Sequence, residues 1–189
     1  MAAKEIFRYQ ENPASPLISF KLWSDATFVN FEKKTYVTYC VDRVQDLDIL
    51  HERGYTAIDT AIADTIMRLN CMPGCSTRTS CSGHPGDYRS AYIWFSELPD
   101  DLAEYLSKSG MWERDQDGFS NTWRAHGITE GSTSEWLAAL KYLADYPGLP
   151  ENGFQQIHVI SEPATGSNGE IIEADNGRRI YMRTFYTEE

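Results

Sequence analysis

Positive charge is scarce in this chain: 17 Lys+Arg stand against 28 Asp+Glu, a formal net charge of −11 over 189 residues. That excess repels a phosphate backbone and argues against broad binding to DNA or RNA. A local cationic pocket remains compatible with it, as does an acidic face that engages a basic protein. Long apolar runs are missing too. None approaches the ~18–20 residues of a membrane span, so no membrane-embedded segment is expected. The opening Met-Ala-Ala-Lys-Glu-Ile lacks the apolar core of a secretory leader, which makes a reducing, cytoplasmic setting the expectation. No Gly-rich phosphate loop is visible either, because no helical pattern follows Gly166-Ser167-Asn168-Gly169.

What is present is ordinary globular material. Hydrophobic residues make up 41% and charged residues 24%, far from a disordered composition. A chain this long buries roughly 70% of the surface it exposes when unfolded, so it needs no disulfide staples. The expectation is a single domain over residues 1–189, with 1–16 as a flexible N-terminal arm.

Aromatic and β-branched runs predict strands at 17–23, 27–31 and 35–41. Ile58, Ile62, Ile66 and Leu69 recur at helical spacing, and Pro73-Gly74 stops that helix near Asn70. Residues 77–81 and 91–95 read as strands around a Gly/Pro loop, and Pro99-Asp100-Asp101 opens a second helix through Lys108. A hairpin over 111–125 turns at Asp117-Gly118, and Ser132 with Glu135 forms a capping box for a third helix. Strands at 156–160, 170–173 and 179–185 follow, the last two joined by Asn176-Gly177. Interleaved helices with hairpin connections predict an α+β fold, its sheet mixed or mostly antiparallel, with two or three packed helices.

The densest chemical signal is Asn70-Cys71-Met72-Pro73-Gly74-Cys75-Ser76-Thr77-Arg78-Thr79-Ser80-Cys81-Ser82-Gly83-His84-Pro85. Cys71, Cys75, Cys81 and His84 together supply the donor set of a tetrahedral zinc site. Cys81 with His84 as base is a candidate nucleophile, should a nearby cation lower its pKa. Ser80, Ser82 and Gly83 offer hydroxyls and approachable backbone N–H groups, and Arg78, His84 and Arg89 could neutralise an anion. A tight turn in which Gly83 supplies an unusual dihedral explains the same residues with no ligand at all. Elsewhere, Trp123-Arg124 beside His126 could clamp a planar anion, and His51 and His158 stand isolated. Cys40, in an apolar stretch, reads as a small core residue.

The stretch 66–95, with Thr79-Ser80-Cys81-Ser82-Gly83-His84 at its centre, resembles a helix–Ser-Cys-Ser-Gly–strand unit of small phage and bacterial proteins. It is also distantly similar to the wybutosine-synthesis methyltransferase family, whose signature is Ser-Ser-Cys-Ser-Gly-Arg. Here Thr79 replaces the first Ser and His84 the Arg. The likeness to phage proteins implies a host-cytoplasmic protein, with Ser80, Cys81, Ser82, Gly83 and His84 as the functional positions. The methyltransferase family implies an α/β fold that uses S-adenosylmethionine on a modified tRNA base.

Three functions follow as expectations. The first is a small anionic or nucleotide-like ligand bound at 80–84, with Arg78, Arg89 or Arg124 adding charge, in a sponge, a sensor or a phage counter-defence factor. The second is an S-adenosylmethionine-dependent enzyme. The third is an acidic interaction protein that blocks a basic partner. Each is compatible with a homo-oligomer.

Overall fold

The computed structural model describes residues 5–10, 26–37, 50–83, 91–115, 121–125, 133–173 and 180–186, with side chains in most of these segments. The fold is α+β, as the interleaved pattern predicts. Among the described residues no helix is long and apolar enough to cross a membrane. The expected strand at 17–23, the turns at 117–118 and 176–177, the cap at Ser132 and Cys40 lie outside the described residues. The chain divides into two compact units, one formed by Met1–Ala57 with Phe154–Glu189 and the other by Ile58–Gly153.

The first unit carries the sheet order β1-β10-β9-β3-β2-β4. Its strands are β1 (Glu5–Gln10), β2 (Ala26–Asn30), β3 (Thr35–Val37), β4 (Thr56–Asp59), β9 (Gln155–Pro163) and β10 (Ile180–Tyr186). The chain passes into the second unit within β4. Strand β1 lies inside the expected N-terminal arm and pairs antiparallel with β10. β10 pairs antiparallel with β9, and β9 runs parallel to β3, so the sheet is mixed. Phe28, Val29 and Val37 are fully enclosed. The β2–β3 turn is fixed by Asn30, whose Oδ1 accepts the Lys33 N–H at 2.8 Å while its Nδ2 donates to the Arg53 carbonyl at 2.9 Å. The stretch expected as a strand at 170–173 forms isolated bridge pairing, Thr165 with Ile171, and Ile172 N–H donates to the Ala164 carbonyl at 2.8 Å. The reason it is no full strand is local: Gly169 N–H bonds Gly166 and Gly166 N–H bonds Glu170, closing a tight turn.

The second unit holds an antiparallel sheet, β5-β6-β8-β7. These are β5 (Ser76–Cys81), β6 (Tyr92–Glu97), β7 (Trp112–Arg114) and β8 (Asn121–Ala125). Helices α1 (Thr60–Leu69), α2 (Asp100–Lys108) and α3 (Thr133–Ala144) pack against β5, β7 and β8 respectively. Ala91, Ile93, Phe95, Trp112, Trp123 and Ala125 are buried beneath them. Trp112 Nε1 donates to the Ala139 carbonyl at 3.0 Å, which fixes α3 over this apolar face.

The isoleucine stripe is real but its first member is not helical. Ile58 lies in β4 and α1 starts at Thr60, because Asp59 takes an extended conformation (φ −54°, ψ 127°). One apolar residue at the junction fits either period, so spacing alone could not place the boundary. At the other end of α1, Arg68 donates from Nε to the Pro150 carbonyl at 2.8 Å. Its Nη atoms reach the Ala144 and Leu149 carbonyls, each at 3.4 Å. These carbonyls belong to the last turn of α3 and the Pro147-Gly148-Leu149-Pro150 stop, which the helix itself leaves without donors. Replacing Arg68 with Ala is expected to lower stability by about 1–3 kcal/mol. Arg68→Lys should recover only part of this, since an ammonium cannot span three carbonyls; urea midpoints of the three proteins measure it.

Candidate functional site

The turn at 80–83 leaves the end of β5, and its donors are already committed. The Ser82 N–H donates to Asp59 Oδ2 at 2.7 Å, and the Ser82 hydroxyl donates to the same oxygen at 3.1 Å. Asp59 occupies the N-cap position of α1 without bonding its own helix, and its carboxylate meets the turn instead. Both donors of Ser82, expected to meet an anion, therefore hold a resident carboxylate. Gly83 N–H lies 3.4 Å from Cys81 Sγ, and Cys81 is buried. His84, Arg89 and His126 lie outside the described residues.

Gly83 is demanded twice over. Its φ is +85°, and a Cβ there would sit 2.7 Å from Trp136 Cε3 and 3.1 Å from the Ala91 nitrogen. The backbone threads between the indole of α3 and the start of β6, an approach that only glycine permits. Gly74 is the natural control, with φ +68° and open space within 4 Å of where a Cβ would stand.

The structure does not bring the proposed zinc ligands together. Cys75 precedes β5 and Cys81 ends it, and an extended strand of that length separates its ends by roughly 15–20 Å. Two thiolates on one zinc stand only ~4 Å apart. Cys71, half-buried, lies in the turn after α1 beside Gly153. Among the described residues no three His, Cys, Asp or Glu side chains converge as a metal site. Cys75 is instead a core thiol, pushed up to about 12 by burial and then by the nearby charges of Asp101 and Glu97.

Cationic side chains gather on the other face of the same sheet. Tyr92 and Trp94 alternate with the buried Ala91, Ile93 and Phe95 and are half-buried. The Arg78 guanidinium lies over the Trp94 ring at 5.5 Å, and that of Arg124 over the Tyr92 ring at 5.4 Å. Arg78 reaches this position through a β-bulge: Thr77 pairs with Phe95 and Thr79 with Trp94, leaving Arg78 unpaired between them. Bulges re-aim side chains in this way. Arg124 also donates from Nε to Asp115 Oδ2 at 2.7 Å. Arg78 has no carboxylate partner among the described residues. Trp123 and Arg124, expected to act together, point to opposite faces because they are neighbours on β8; Trp123 is buried opposite Ile93 and Arg124 lies opposite Tyr92. Motif-based reasoning passes over Tyr92 and Trp94 as site residues. Their signal is the alternation itself, which puts two large amphipathic rings on the face away from the core.

Two predictions test this geometry. Gly83→Ala is expected to cost more than about 2 kcal/mol, combining the left-handed backbone with the collision at Trp136, against about 1 kcal/mol for Gly74→Ala, by urea denaturation. The second concerns pH. The Tyr146 hydroxyl donates to Asp101 Oδ2 at 2.7 Å, and burial followed by this bond pushes Tyr146 up to about 12. Tyr146 and Cys75 are thus neutral in the folded protein where the unfolded chain ionises at its ordinary 10.0 and 9.0. Their stabilisation is complete below pH 9 and is lost as pH rises toward about 12. Asp101 is lowered from its ordinary 3.8, mainly by that bond, so its support is present above that value and disappears as pH falls below it. In Tyr146→Phe the acid-side loss should shrink, and the alkaline loss should lose the Tyr146 part while keeping those of Cys75 and Tyr105, both raised chiefly by burial, read from urea midpoints across a pH series.

Comparison of the chain with protein-family models, with curated proteins and with solved structures yields no match.

Proposed function

We propose that the second unit binds a small planar anion of nucleotide type on the face carrying Arg78, Trp94, Arg124 and Tyr92. The observation that carries this reading is the pair of guanidinium groups, each lying over an aromatic ring of one strand at 5.4–5.5 Å from its centroid. Such pairs occur roughly once per 70–80 residues, so two at alternate positions of β6 form a concentration that packing alone does not require. A guanidinium held over an indole can still offer N–H groups to a phosphate oxygen and a face to a base. Exposure of Arg78, Thr79 and Arg124 leaves that edge reachable by solvent.

The net charge of −11 favours a small ligand over a polyanion. The turn at 80–83 supports the site from below, since Cys81 lies opposite Tyr92 and Ser82 ties the end of β5 to Asp59. A binding role of this kind suits a sponge or sensor, including one that serves phage counter-defence in a host cytoplasm.

Calorimetry with a panel of nucleotides and cyclic nucleotides tests the reading. Binding is expected with at least one of them, weakened about tenfold or more in Arg78→Ala and in Trp94→Ala with unchanged melting temperature. S-Adenosylmethionine, which carries adenine and a sulfonium but no phosphate, is expected not to compete. No heat with any nucleotide overturns the reading. Tight S-adenosylmethionine binding that ignores Arg78 would favour the methyltransferase instead, and steeply salt-dependent capture of a basic protein would favour the acidic decoy.

A further inference from the structure

We infer that the ligand of this face is a dinucleotide, two nucleobases joined by a single phosphodiester; this rests on the nucleotide reading above. The Arg–aromatic pair is repeated, and the repeat has a geometry. Tyr92 and Trp94 stand at alternate positions of β6, so their rings rise from one face roughly 7 Å apart along the strand. That spacing exceeds the thickness of one base and matches neighbouring bases that have been splayed apart, as single-stranded ligands are on sheet faces. The two arginines approach from opposite sides of β6: Arg78 from β5 onto Trp94, and Arg124 from β8 onto Tyr92. A bound molecule therefore crosses β6 diagonally, with one base on each guanidinium–ring stack and its linker between them.

Charge sets the linker. Of the two cations, Arg124 is already bonded to Asp115, and Glu113 lies directly opposite Arg124 on β7, exposed. Arg78 alone has no carboxylate partner among the described residues. Arg78 is therefore the cation left to meet a phosphate, and a single phosphodiester is the charge one guanidinium can offset. A triphosphate chain would bring more negative charge than the face can offset, next to Glu113 and Asp115.

The test compares diadenosine monophosphate (two adenosines joined by one phosphodiester), adenosine monophosphate and adenosine triphosphate on the full chain by calorimetry. Diadenosine monophosphate is expected to bind about tenfold or more tightly than either mononucleotide, with one molecule per chain. Arg124→Gln and Tyr92→Leu, checked for folding by circular dichroism, should each weaken the dinucleotide by a larger factor than the monophosphate. Equal affinity for the mono- and dinucleotide overturns the inference while leaving the nucleotide reading in place, and a preference for the triphosphate does the same. Binding of none of the three overturns the inference, and no heat with the wider nucleotide panel overturns the nucleotide reading as well.

Discussion

The second unit depends on the strict alternation along β6. Ala91, Ile93 and Phe95 are almost wholly withdrawn from water, while Tyr92 and Trp94 between them stay half-exposed. A strand with period two cannot slip by one residue without driving Tyr and Trp under α3 and lifting Ile93 and Phe95 into solvent. The register is thereby fixed against both β5 and β8, and with it the placement of every side chain on the polar face. Arg124 is delivered to Tyr92 by that register, and Arg78 to Trp94 by a bulge in β5, where Thr77 and Thr79 pair with the adjacent residues Phe95 and Trp94. Core packing and the arrangement of the polar face are two sides of one constraint.

The end of β5 is held by a carboxylate anchor and a close backbone approach. Ser82 places two donors on one carboxylate oxygen of Asp59, and Gly83 accepts a left-handed backbone to pass under Trp136. The indole meets the turn with its Cε3 edge. Its Nε1, like that of Trp123, is buried with no acceptor among the described residues. Burying an indole N–H without a partner costs free energy, so shape has been favoured over hydrogen bonding at this contact. The result is a stiff junction joining the start of α1, the end of β5 and the first turns of α3, beside the strand whose outer face carries the rings.

Much of this fold is legible in the sequence, and the failures have identifiable causes. The strands β2, β5 and β8 and the helices α1 and α2 follow from hydrophobic period and from Pro and Gly stops. β4 is not legible, since Thr56-Ala57-Ile58-Asp59 is too short to show a period, and Ile58 fits the helical stripe of its neighbours equally well. Donor count and sequence spacing say nothing about an intervening strand, and β5 stretches Cys75 and Cys81 apart. The Trp123–Arg124 clamp fails for the opposite reason, because residues adjacent in sequence on a strand never share a face. Arg78 stands out in the sequence for its charge, but its ring partner does not, because a bulge shifts which face a strand residue occupies and leaves no mark in composition.

An acidic chain can still hold an anion when the two effects act over different lengths. At physiological salt, fields fade over about 8 Å, so carboxylates elsewhere in the chain are felt weakly by a small group seated directly on Arg78. A guanidinium already stacked on Trp94 is also preorganised, which spares the ligand the cost of ordering a long side chain. A long polyanion has no such shelter. Its charges extend past the arginines and over Glu113, Asp115 and the rest of a surface with 28 carboxylates against 17 cations. For the ligand proposed above, the same net charge that disfavours a nucleic-acid backbone would act as a length filter, admitting a molecule short enough to end where the two arginines end.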